Sequence, residues 1–391
     1  MAELILQDQE GRCATCEFDG HILGCGSFGF IRKLSSSHGP IDPSHDAFNG
    51  KTVLKTLSHQ FNEEHFVHLQ RLTTLSHPNL VRCLMVGYPV NPSLLVPKLI
   101  HIILEYCEGG NLHQLAIKEP HKMTEKYILH LAEQIAKGIR YLHTRDPIIV
   151  YGDLKGENIL FQDTAFMQVK IADLDSFGMF KGSQTLHGFM KNPSGSPTHM
   201  SPEMLMICDK LNSLSNMDER VGRRTDMYSF ACLILELINK GEVPYTDKNK
   251  LSIAQNELSS LLAIRNVINK GGSPDVSILF SAPNTMRYSR ELQALLNQCL
   301  HCNPAERPDC HDLLACVSYL RTDPKRSYSD AETQTESFKP EYSHCDAETQ
   351  TITVSTEQQA IAAKNSKEKE SAAAENLRMQ RDTVRKALLG T

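Results

Sequence analysis

Apolar positions along the chain fall into short blocks separated by polar joints rich in glycine and proline. Residues 18–34 predict a strand, a glycine turn and a second strand. The turn is Gly24-Cys25-Gly26-Ser27-Phe28-Gly29, with Ile31 just beyond it. Residues 35–50, rich in Ser, Pro, Asp and Gly, predict a long loop. A strand follows over 51–55 and ends on Lys55. In 60–76, Phe66, Leu69, Leu72 and Leu75 recur every three residues, the spacing of one helix face, and His77-Pro78-Asn79-Leu80-Val81 stops that helix. Further on come a strand over 100–106, a long amphipathic helix over 124–143 and the apolar run Ile148-Ile149-Val150. The run Val169-Lys170-Ile171-Ala172-Asp173 alternates enough to be a strand, and a hairpin would bring Asp173 beside Asn158.

Composition changes this picture little. The 391 residues are 40% apolar, enough for a sizeable core, and the net charge of −5 gives no broad electrostatic case for nucleic acid. Met1 to Gly11 lacks a basic region followed by an apolar run, so no signal peptide is read there. The most apolar run, 231–238, is interrupted by Glu236 and is far too short for membrane insertion. Twelve cysteines without a secretory signal suggest a reducing, cytoplasmic setting. Cys13 and Cys16, and Cys299 and Cys302, have zinc-like local spacing, but the two pairs are far apart in the chain and Cys299 falls on an apolar helix face.

The candidate chemistry is concentrated in 151–175. Asn158 and Asp173 make a hard oxygen site suited to a partly hydrated Mg²⁺ bound to phosphate. Asp153 is left to orient a hydroxyl. The glycine turn lets backbone N–H groups approach phosphate oxygens, and Lys55 follows it on a strand.

These segments, in this order, resemble the protein-kinase family. The resemblance covers 18–321 and implies an α+β, two-lobed fold. Its small β-rich N-lobe spans about 18–106 and its mainly α-helical C-lobe about 107–321, after an extension over 1–17. It implies ATP and Mg²⁺ as cofactors and transfer of the γ-phosphate to a protein hydroxyl. Gly24, Gly26, Gly29 and Ile31 would cover the nucleotide, and Lys55 would pair with its α- and β-phosphates. The backbone near Glu105 and Cys107 would meet adenine, with Leu104 as gatekeeper. Asn158 and Asp173 would hold Mg²⁺. Asp153 would orient the acceptor, and Lys155 would neutralise the γ-phosphate, as in serine/threonine kinases. The family pairs the strand lysine with a helix glutamate. Counting back from His77 places that position on His68, with Glu64 one turn earlier, so the pair is Lys55–Glu64 or is absent. Glu203, in Ser201-Pro202-Glu203, would pair with a buried Arg307, and Asp226 would anchor the catalytic-loop backbone. The style is closer to tyrosine-kinase-like serine/threonine kinases than to other groups.

Three departures bear on activity. Tyr151 replaces the usual His at a packing position. Gly152 replaces an Arg that meets a phosphorylated activation segment, so activity is expected not to require phosphorylation of Ser183, Thr185 or Ser196. Asp175 stands where the family has Gly, and would repel phosphate or point away. An active serine/threonine kinase and an inactive, nucleotide-binding pseudokinase scaffold are the two readings.

Residues 322–356 read as a flexible tail. It repeats Asp330-Ala331-Glu332-Thr333-Gln334-Thr335 as Asp346-Ala347-Glu348-Thr349-Gln350-Thr351. Thr-Gln-Thr in such a stretch resembles segments bound by dynein light chain as an added β-strand, which suggests a cytoskeletal association. Residues 357–391 predict a helix with a thin apolar stripe.

Overall fold

The computed structural model describes residues 2–26, 29–38, 51–60, 63–90, 98–176, 178–180, 196–209, 219–241 and 288–322. The chain divides into a unit over Met1–Ser327 and a second over Tyr328–Thr391. The second unit, with both Thr-Gln-Thr repeats and the expected terminal helix, lies outside the described residues, as do Ser183 and Thr185.

The N-terminal lobe is a closed six-stranded barrel. Its strands are β1 (Ala2–Gln7), β2 (Cys13–Gly26), β3 (Gly29–His38), β4 (Thr52–Gln60), β5 (Cys83–Pro89) and β6 (Leu99–Glu105), in the order β1-β2-β3-β4-β6-β5. The expected extension over 1–17 thus holds a strand and the start of another. β1 pairs with β2 along its length and with β5 through Leu6 and Gln7, which closes the barrel and removes a sheet edge. Alternation explains its seat: Leu6 is fully buried while Ile5 is exposed. Buried Asp8 makes the β1–β2 turn by accepting the N–H groups of Glu10 and Arg12, each at 2.9 Å. Leu6, Ala14, Cys16, Leu34, Leu54, Leu84, Met85 and Ile103 fill one cluster inside the lobe. Leu57, Ile100 and Ile102 belong instead to the main core, so β4 and β6 separate two apolar layers.

The helix expected over 60–76 is shorter. β4 continues to Gln60, α1 spans Glu63–Gln70, and 71–74 tighten into a 3₁₀ turn. Phe66, Leu69, Leu72 and Leu75 are all buried, as their spacing requires. The segment after it docks on a later strand, β9 (Val169–Ile171): Val81 donates to Ile171 O and Ile171 to Asn79 O, both at 2.9 Å.

The second lobe is mainly helical. α2 (Leu112–Lys118) is capped by Asn111 and α3 (Glu125–His143) by Thr124, each side chain accepting a first-turn N–H. α3 buries Ile128, Leu131, Ile135 and Leu142 at helical spacing. Two short pairs, β7 (Ile148–Val150) with β10 (Gly178–Phe180) and β8 (Ile159–Phe161) with β9, frame the loops between them. α4 (Pro202–Asp209), α5 (Glu219–Ile238), α6 (Arg290–Cys299) and α7 (Cys310–Thr322) complete the described helices. Thr225 to Ile238 of α5 is buried throughout, which makes α5 the axis of this lobe. No helix of the described residues is long and apolar enough to cross a membrane.

Candidate functional site

The start of the loop after β7 hangs from a buried carboxylate. Asp226, on α5, accepts the Tyr151 N–H at 2.9 Å and the Gly152 N–H at 2.8 Å, and sits 2.7 Å from His143 Nε2. This is the anchoring role expected of Asp226. Gly152 has φ +80°, a conformation an L-side chain adopts only at a cost, so glycine suits this backbone even as it removes the family's charge. Tyr151 is buried and donates its hydroxyl to Ala172 O at 2.7 Å, tying the loop to the end of β9.

The loop presents Asp153, Lys155 and Asn158 together. The Asn158 amide donates to both the carbonyl and the carboxylate of Asp153, each at 2.9 Å, and both residues are buried. Lys155 Nζ lies 3.1 Å from that carboxylate and donates to Ser196 Oγ at 2.8 Å. The Ser196 N–H donates to the other oxygen of Asp153 at 2.9 Å. Ser196 is therefore built into the site. The expected hairpin forms: Ile159 faces Ile171, and Ala172 N–H donates to Asn158 O at 2.8 Å, which sets Asp173 next to Asn158.

Asp173 has φ +55°, and its carboxylate meets Lys55 of β4 across the two lobes. Asp175 meets the same ammonium at 2.6 Å. Of the alternatives expected for Asp175, pointing away does not hold, since it points inward onto Lys55. Burial lowers the lysine's pKa, but the charge of Asp175, then that of Asp173, outweighs it and raises the value. Burial works against the Asp173 charge too, yet Lys55 holds its pKa below the ordinary value. Asp175 is raised, first by burial, with Lys55 opposing and Asp173 adding to it. The acids on Lys55 among the described contacts are thus these two. The Glu64 side chain lies outside the described residues, and His68 stands half-buried on α1.

The strands on either side of the glycine turn pair with each other, while Ser27 and Phe28 at its tip lie outside the described residues. Gly26 faces Gly29, Gly24 faces Ile31, and Ile31 in turn faces Lys55 on β4. A Cβ on Gly29 would fall 1.9 Å from Thr56 O, so only glycine permits that approach. At the hinge, Glu105 N–H is taken by Arg82 O at 3.0 Å and Tyr106 N–H by Lys51 O at 2.9 Å. Cys107 N–H is left without a backbone acceptor among the described residues. The Glu105 side chain has a separate task, pairing with Lys170 at 2.9 Å and accepting the Arg82 N–H. Leu104 is half-buried on β6.

Glu203 and Arg307 form the expected pair in two-pronged geometry, at 2.6 and 2.8 Å, with Arg307 only 1% exposed. Breaking a buried pair on one side costs about 3–5 kcal/mol, whereas an exposed pair such as Lys51–Glu108 contributes about 0–1. The first kind fixes the C-lobe.

Glu236 escaped the sequence reading because it interrupts an apolar run. Its buried carboxylate accepts the Gly156 N–H of the catalytic loop at 3.0 Å and meets His113 Nδ1 at 2.6 Å and His199 Nε2 at 2.9 Å. A Cβ on Gly156 would fall 2.6 Å from a Glu236 oxygen, so the close approach requires glycine.

Residues 19–317 match the protein kinase domain family, and the chain belongs to it. Among curated proteins it is 30% identical over 298 residues to a probable serine/threonine-protein kinase of Dictyostelium discoideum, an alignment covering 76% of this chain and 27% of that protein. It is 29% identical over 327 residues to mitogen-activated protein kinase kinase kinase 3 of Arabidopsis thaliana, covering 79% and 45%. To the Arabidopsis thaliana serine/threonine-protein kinase VIK it is 26% identical over 304 residues, covering 77% and 59%. The chain thus spans between about a quarter and three fifths of these relatives' lengths.

The Glu236 cluster has a pH signature. Burial opposes the Glu236 charge, but hydrogen bonds from His113 and His199, then the Gly156 N–H, push its pKa down to about 2. The hydrogen bond to Glu236 raises His113 above its ordinary 6.5. Stabilisation from Glu236 is therefore present above its unfolded value near 4.5 and lost as pH falls toward 2. Stabilisation from His113 is present below 6.5 and lost as pH rises through its raised value. Thermal melting measured as pH rises from 6.5 is expected to show wild-type stability falling, and His113→Gln removing that fall.

Proposed function

We propose that the chain is an ATP- and Mg²⁺-dependent protein serine/threonine kinase. The observation that carries this reading is the convergence, across two lobes, of Lys55 on Asp173, beside the hydrogen-bonded group of Asp153, Lys155 and Asn158. The residues suit the cofactor. Asn158 and Asp173 offer neighbouring hard oxygens that would hold Mg²⁺, and Lys55 is a buried cation at the base of the glycine turn. Mg²⁺, when bound, supplies charge neutralisation to the phosphates. The chain's own residues do the rest. The glycine turn and Lys55 fix the phosphates, and Cys107 N–H serves adenine. Asp153, oriented by Asn158 and Ser196, accepts the hydrogen bond of the protein hydroxyl. Lys155, in contact with Ser196 Oγ, meets the charge on the transferred group. Lys155 two residues after Asp153, together with the names of the similar proteins, supports Ser/Thr acceptors, and Asp153-Leu154-Lys155 with Gly195-Ser196-Pro197 is the sequence feature that favours the tyrosine-kinase-like group.

The second reading, a nucleotide-binding pseudokinase scaffold, is favoured by Asp175 on Lys55 and by the charge missing at Gly152. Phosphate transfer to a generic protein substrate separates the two. The kinase reading expects Asp153→Asn to lower transfer by about 10²–10⁴-fold while Mg·ATP still raises the melting temperature. No transfer from the wild type, or equal transfer from the variant, supports the scaffold instead.

The tail repeats are read as binding sites for dynein light chain through Thr333, Gln334, Thr335 and Thr349, Gln350, Thr351, two copies suiting a dimeric partner and a cytoskeletal location. Changing both Thr-Gln-Thr triplets to alanines is expected to abolish light-chain capture by the full chain; retained capture contradicts it.

A further inference from the structure

We infer that Asp175 is the positioning carboxylate of the nucleotide site, holding Lys55 in place of a glutamate from helix α1. This rests on the nucleotide-binding part of the proposed function and adds the means by which its lysine is aimed.

Lys55 is buried on β4, and its ammonium must be paired. Among the described residues two acids reach it, both from the segment that follows β9. Their futures differ once nucleotide and metal arrive. Asp173 adjoins Asn158 and is the acid of the hard oxygen pair, so its carboxylate would hold Mg²⁺ when the metal is bound. Asp175 is the deeper acid, with its side chain 7% exposed against 27% for Asp173. Among the described residues Lys55 is its cation. A buried carboxylate stripped of its counter-charge is strongly unfavourable, so Asp175 keeps Lys55 when Asp173 turns away. An ammonium has three donor hydrogens, enough for the Asp175 carboxylate and for phosphate oxygens together.

The consequence is regulatory. A lysine aimed by a helix glutamate is in register only when that helix is in place. A lysine aimed by Asp175 depends instead on the segment that also supplies Asp173. Metal acid and lysine anchor then move together, independent of α1. Gly152 fits this arrangement, since no loop arginine is present to receive a phosphate that would reset the segment.

The test is calorimetric Mg·ATP affinity of the full chain for wild type, Asp175→Asn, Asp175→Gly, Asp175→Glu and Glu64→Gln, with melting recorded in the absence of nucleotide. Without nucleotide Asp173 still covers Lys55, so all variants are expected to melt close to the wild type. Asp175→Asn is expected to weaken Mg·ATP by about tenfold or more, as loss of a charge-assisted hydrogen bond does. Asp175→Gly does the same, although it restores the family's residue, and Asp175→Glu recovers part of the loss. Glu64→Gln changes affinity by less than about threefold, below the energy of one hydrogen bond. In transfer assays the Asp175→Asn loss falls on KM for ATP more than on kcat. Unchanged or tighter binding by Asp175→Asn and Asp175→Gly would overturn the inference, because the carboxylate would then be a competitor of phosphate. A loss in Glu64→Gln equal to that in Asp175→Asn would overturn it too. Binding does not require turnover, so a wild type that binds Mg·ATP without transferring phosphate defeats the kinase reading while the affinities still decide the role of Asp175.

Discussion

A buried ammonium is unstable without a carboxylate, and the interior of this protein resolves that constraint at Lys55. The lysine belongs to the barrel lobe, while the two acids that meet it among the described residues belong to the segment leaving β9 in the helical lobe. The contact therefore joins strand register in one lobe to loop geometry in the other. β4 places Lys55 opposite Ile31 beneath the glycine turn. The docking of Asn79 and Val81 on Ile171 fixes β9, and Asp173 and Asp175 follow directly from it. The placement of Lys55 and its two acids is thus set by the backbone hydrogen bonds of β4 and β9.

The catalytic loop is held just as firmly, and by a single helix. Asp226 takes the N–H groups of Tyr151 and Gly152, and Glu236 takes that of Gly156. Both acids stand on α5, the buried axis of the lobe. Asp153 lies between these attachment points, so its carboxylate is pre-oriented by a rigid element rather than by the loop itself. Glu236 also ties in His199, close in sequence to Ser196, which touches Asp153 and Lys155. The loop, the end of the activation segment and α2 are joined at one carboxylate.

Much of this was legible in the sequence. Apolar spacing located β2, β3, β4, β6 and β9 and the helices α1 and α3, and the resemblance to the family named Lys55, Asp153, Asn158, Asp173, Asp226 and the Glu203–Arg307 pair. What escaped has physical causes. β1 carries an alternation of its own, with Leu6 in and Ile5 out, but its place is set by pairing with β5, a partner far along the chain. The helix expected from 60 onward gives way to β4 at its start because strand pairing across the sheet, at Gln60 with Leu99, overrides local spacing. Glu236 reads as an interruption in an apolar run until three distant segments are seen to converge on it. The direction of Asp175 could not be read from its identity, because a carboxylate in that loop turns toward whichever charge the fold brings near.

The central claim is that Lys55 is aimed from the activation-segment side. An experimental structure of the full chain with Mg·ATP tests it most directly. Asp173 is expected on the metal with Asn158, and Lys55 within hydrogen-bond distance of both phosphate and Asp175. Lys55 paired with Glu64, with Asp175 turned out to solvent, would contradict it.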